Sequence, residues 1–96
     1  MEVFLLTKPP RSDRTELCLQ LAEGSIDSIL YLAGDGVYNL LEVESLQGFV
    51  VKRIMACKED LMARGVEAKE LAIVPENFYE HLVKDMLLSD NKIYTF

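Results

Sequence analysis

Ser28-Ile29-Leu30-Tyr31-Leu32-Ala33 runs through consecutive apolar residues and stops at Gly34-Asp35-Gly36. A strand with one wet face alternates polar and apolar side chains, whereas an unbroken run is how a strand covered on both faces reads. Coverage on both faces belongs to parallel sheets flanked by helices, so this stretch predicts an α/β architecture.

The flanking sequence agrees. Upstream, Val3 to Thr7 is a second short apolar run, ended by Lys8-Pro9-Pro10, where paired prolines cannot continue a ladder. Asp13 and Glu16 then form a capping-box-like start, and Gly24 stands where a left-handed residue would end the helix. On that helix Leu17, Cys18, Leu21 and Ala22 share one face and Leu19 strays from it. Downstream, Val37-Tyr38-Asn39-Leu40-Leu41 has helical spacing, Gly48 marks a loop, and Phe49 to Cys57 holds the next strand. Glu42 to Val50 is ambiguous enough to admit an antiparallel insertion.

Lys58 to Arg64 favours a helix that stops at Gly65. Leu71 to Val74 is strand-like. Pro75 suits the first turn of a helix through Leu88, with Phe78, Leu82 and Met86 on one face. Ile93 to Phe96 supplies a last strand. The alternation of strand and helix predicts a single domain over residues 1–96, a three-layer α/β/α fold around a mainly parallel sheet of about five strands.

Composition limits the function. Ninety-six residues, half of them apolar, hold one core, and the modest buried fraction at this size makes oligomerisation helpful. A formal charge of −6 is the wrong sign for gripping a phosphate backbone, so no direct nucleic-acid binding is expected. The longest uncharged apolar run, Ser28 to Gly34, is far shorter than the roughly 20 residues of a membrane span. The N-terminus reaches Lys8 too early for a signal peptide, which places the chain in the cytoplasm. Two cysteines and one histidine make neither a disulfide framework nor a four-ligand cysteine/histidine zinc site. No metal or cofactor is expected.

In open parallel sheets the working site lies beyond the carboxyl ends of the strands. Thr7 to Asp13, Gly34 to Val37 and Cys57 to Asp60 fall there. Cys57 ends a strand just before a helix, where a thiol loses its proton more easily; Lys58 assists, and Glu59 and Asp60 oppose. The alternative is that Cys57 is a small buried hydrophobe. Cys18, within an apolar stripe, reads as inert core. Gly34-Asp35-Gly36 reads as a tight turn, because Asn39 stands where the third glycine of a dinucleotide fingerprint belongs. His81 reads as a surface residue. Glu59-Asp60, and Glu42 with Glu44, read as solvated acidic faces. No GxSxG elbow, P-loop or HExxH is present.

Leu32-Ala33-Gly34-Asp35-Gly36-Val37-Tyr38 and Lys58-Glu59-Asp60-Leu61-Met62-Ala63-Arg64-Gly65 resemble the strand-loop and the "EDLxARG" helix of the DsrH/TusB family of small sulfur-relay subunits. The likeness extends to the length, the Lys8 to Pro10 loop and the aromatic C-terminus. Members of the wider DsrE-like superfamily carry a persulfide cysteine seven residues before the arginine of an Arg-Gly pair, the spacing of Cys57 to Arg64-Gly65. Cys18 resembles a helix cysteine of DsrH-type members. The resemblance implies a carrier of persulfide sulfur, for tRNA wobble 2-thiouridine or for sulfur oxidation, with Cys57 as the catalytic residue. Its implied partners are DsrE/DsrF-like or TusC/TusD-like subunits and a sulfur donor or acceptor protein. A non-catalytic structural subunit is the competing expectation, and a small-ligand module at Gly34 to Gly36 is a third. A reactive Cys57 requires a thiol pKa below the ordinary value of about 8.5. Tyr38, Tyr94 and Phe96 are expected either at an interface or in the chain's own core.

Overall fold

The computed structural model describes residues 1–42, 46 and 53–96. The strand β1 spans Glu2–Leu6, the helix α1 Asp13–Glu23, and β2 Ser28–Leu32; a 3-10 helix follows over Gly34–Leu41. After the undescribed stretch come β3 (Ile54–Ala56), α2 (Lys58–Arg64), α3 (Phe78–Leu87) and β4 (Lys92–Thr95). Glu44, the Gly48 loop, residues 49–52 of the expected strand and most of the ambiguous Glu42 to Val50 stretch lie outside the described residues.

The sheet has four strands in the order β3-β2-β1-β4. All three pairings are parallel, with Phe4 opposite Leu30 and Tyr94, and Tyr31 opposite Met55. The pleat divides the apolar runs between two cores. Phe4, Leu6, Leu30, Leu32, Ile54 and Ala56 pack with Cys18 and Ala22 of α1, Val37 and Leu40 of the 3-10 helix, and Leu61 of α2. Val3, Tyr31, Ala33, Met55 and Cys57 pack with Phe78 and Leu82 of α3. This is the three-layer arrangement read from Ser28 to Ala33. Burying a side chain such as Phe78 or Leu82 contributes roughly 1.5–3 kcal/mol, enough for two residues to seat α3.

Three elements differ in detail. Where a strand was expected at Leu71 to Val74, Ile73 alone bridges Met55, its N–H donating to the Ile54 carbonyl and its own carbonyl accepting from Ala56 N–H, both at 2.9 Å. Pro75, two residues on, has no N–H with which to extend the ladder. The helix expected from Pro75 begins at Phe78, behind Asn77, and Met86 is 37% exposed at the margin of its packed face.

The cap of α1 is Ser12 rather than Asp13: Ser12 Oγ accepts from Thr15 N–H at 3.1 Å. Its C-cap, Gly24, has φ −79° and is right-handed. The inward face is Thr15, Cys18 and Ala22 with Leu19 against them, while Leu17 and Leu21 are nearly half exposed. Thr15 explains the rotation. Its hydroxyl donates to the Pro9 carbonyl at 2.7 Å, which fixes that side of α1 against the chain leaving β1.

Candidate thiol site at the carboxyl edge of the sheet

Cys57 leaves β3 and caps α2. Its N–H donates to the Leu32 carbonyl at 3.1 Å, and its own carbonyl accepts from Leu61 N–H at 3.0 Å, so neighbouring strand and following helix both fix its backbone. Only 2% of the residue is exposed, yet it lines a cleft of about 450 Å³ between the start of α2, at Glu59 and Asp60, and the start of α3, at Phe78 and Tyr79. Cys57 Sγ donates to Glu59 Oε2 at 3.4 Å. The thiol therefore lies at the margin of the α3-side core, where that core meets a cleft lined in part by acids.

The electrostatics reverse one expectation. Burial first, then the Asp60 and Glu59 carboxylates, push the Cys57 thiol above its ordinary value, while the Asp60 backbone N–H pulls the other way. Lys58 was expected to favour the thiolate, but its ammonium is held by both carboxylate oxygens of Glu76, at 2.9 and 3.1 Å. The helix that follows has only seven residues, and its first turn carries two acids. Cys18 behaves as read: it is fully buried, and desolvation raises its thiol to about 12.

Gly34-Asp35-Gly36 is a tie between elements. A Cβ on Gly36 would lie 2.0 Å from the Leu6 carbonyl oxygen, so only glycine permits this approach to β1. Gly34, at φ +55°, donates its N–H to Asp60 Oδ2 at 2.7 Å. Arg64 Nε donates to Asp35 at 3.0 Å and its Nη1 to Asp60 at 3.3 Å. The arginine seven residues after Cys57 thus locks the loop to α2, and Asp60, read as a solvated acid, is the joint. Glu59 is exposed as expected, but its carboxylate faces the thiol.

Asn39 is fully buried, its Nδ2 donating to the carbonyls of Lys8 at 3.0 Å and Gly36 at 2.9 Å. Sequence reading missed this role of Asn39 and that of Thr15. The available signal was a polar residue on an otherwise apolar helical face. It also missed Tyr79, which lines the Cys57 cleft. His81 is exposed, and among the described residues no group of three or more His, Cys, Asp or Glu is placed to hold a metal ion. No described helix is long and apolar enough to cross a membrane. The terminal aromatics serve the chain's own core. Tyr94 stacks on Phe4 at 5.0 Å, and Phe96 packs on the same cluster beneath the Arg14 guanidinium.

Fold and site together define a small parallel α/β protein with one thiol at the carboxyl edge of its sheet. Its sequence matches the family described as DsrH like protein over residues 8–92, so the chain belongs to the DsrH family. It is thereby a sulfur-relay subunit, of a family whose members work in complexes with other relay subunits. Neither the curated proteins nor the solved structures give a match.

Proposed function

We propose that the chain acts as one domain that receives and passes sulfane sulfur as a persulfide on Cys57, in the cytoplasm, serving either tRNA wobble 2-thiolation or sulfur oxidation. The observation that carries this reading is the position of Cys57. It is the thiol that stands at the carboxyl edge of the sheet and lines an open cleft, where parallel α/β folds do their chemistry. In the transfer, Cys57 sulfur attacks the terminal sulfur of a donor persulfide. The new sulfur–sulfur bond forms as the donor's breaks, the electron pair leaves on the donor's inner sulfur, and the Cys57 proton ends there, with no net oxidation. Paralogous DsrE/DsrF-like or TusC/TusD-like subunits and a donor or acceptor protein are the partners that a chain of charge −6 suits better than tRNA itself.

A second reading draws on the raised thiol and its carboxylate neighbours: a structural subunit whose partners hold the reactive cysteine. Incubation with a persulfide-loaded cysteine desulfurase separates the two. A carrier gains one sulfur, about 32 Da by intact mass; Cys57→Ser removes the gain and Cys18→Ser retains it. Absence of the adduct on the unaltered chain, in the presence of its partner subunits, establishes the structural reading instead.

A further inference from the structure

Resting on the carrier reading of Cys57, we propose that Tyr79 is a catalytic residue, its phenol donating a hydrogen bond to the Cys57 sulfur as that sulfur becomes an anion. Tyr79 opens α3 and lines the same cleft as Cys57. Its neighbour Phe78 is buried against Tyr31 and meets the Tyr79 ring edge-on at 5.0 Å, which holds the phenol on the cleft side of the helix. The side of the cleft toward α2 offers the sulfur one acceptor, Glu59, and one donor, the Asp60 backbone N–H. Among the described residues, the positive side chains of α2, Lys58 and Arg64, are occupied by Glu76 and by Asp35 with Asp60.

A sulfur anion formed there needs a second donor, and Tyr79 is the hydroxyl that the fold presents. Burial, then the charge of Cys57 and the acids beside it, raise the Tyr79 phenol, so it stays protonated and able to donate when the thiolate forms. Tyr79 is 57% exposed, which leaves its side of the cleft open to a donor protein.

Tyr79→Phe keeps the ring and removes the donor. The test is the pH dependence of Cys57 carboxamidomethylation by iodoacetamide, read by peptide mass on the whole chain, with thermal unfolding as the folding control. The expected result is an apparent Cys57 pKa about one unit higher, hence about tenfold less thiolate at a given pH below it. Sulfur loading from the desulfurase should slow by a similar factor. An unchanged or lowered Cys57 pKa in a variant that melts like the unaltered chain overturns the proposal. The alkylation profile requires no sulfur transfer. A chain that never loads sulfur but shows the shift therefore keeps the Tyr79 hydrogen bond and loses the carrier role.

Discussion

Cys18 and Cys57 are equally hidden and chemically unlike. Cys18 packs in the apolar cluster beneath α1, and desolvation raises its thiol to about 12. Cys57 belongs to the opposite core, beneath α3, but its sulfur lies at the margin where that core meets a polar cleft. Exposure does not separate them; what covers each sulfur does. A carboxylate, a backbone N–H and a phenol stand by the cleft that Cys57 lines, whereas desolvation is the one influence that shifts the Cys18 thiol among the described residues.

The sharpest way to break this contrast is alkaline unfolding. A thiol raised from 9.0 to about 12 in the fold binds its proton more tightly folded than unfolded. Its stabilisation is complete below the unfolded pKa and is lost as pH rises toward the folded one, with a limit of about 4 kcal/mol between pH 9 and 12. Urea unfolding at pH 7 and pH 11 should therefore show a steeper alkaline loss in the unaltered chain than in Cys18→Ala. Equal losses would mean that Cys18 is not desolvated.

Alkylation of the native chain at pH 8 should come next in size. Iodoacetamide is expected to label Cys57 at least tenfold faster than Cys18, whose modification must await local opening of α1. Comparable rates would place the two sulfurs in one class. The smallest effect is a charge removal. Glu59→Gln deletes the carboxylate facing Cys57 and should lower its apparent pKa, so that alkylation at pH 8 rises about two- to fivefold, as expected for loss of one like charge beside a partly solvated group. A fall in rate would show that Glu59 assists deprotonation.

The architecture was legible because burial on both sheet faces leaves a direct trace: Ile29 to Ala33 has no polar position to spare. The orientation of α1 was not, because a leucine count weighs Leu17 and Leu21 equally with Cys18, while the helix is turned by one hydroxyl, that of Thr15, bonding a carbonyl six residues back. Leu71 to Val74 has strand composition, but a ladder also requires consecutive N–H groups beside a free edge, and Pro75 ends the supply. At the site, the position of Cys57 followed from strand and helix order alone. Its acidity did not, since Lys58 and Asp60 are neighbours along the chain whose partners, Glu76 and Gly34, are brought in by distant segments.

The pairing of β1 with β4 has a kinetic side. Glu2 lies opposite Lys92, ninety residues along the chain, and Thr7 Oγ1 donates to the Phe96 carbonyl at 2.8 Å. The inner strand β1 thus finds its second neighbour only by closing a loop of about ninety residues. Closure entropy of that kind delays folding far more than it weakens the finished structure. Until β4 arrives, β1 presents an open apolar edge of the kind that other chains can pair with. The docking of Lys92 to Thr95 therefore decides how long that edge remains adhesive during folding.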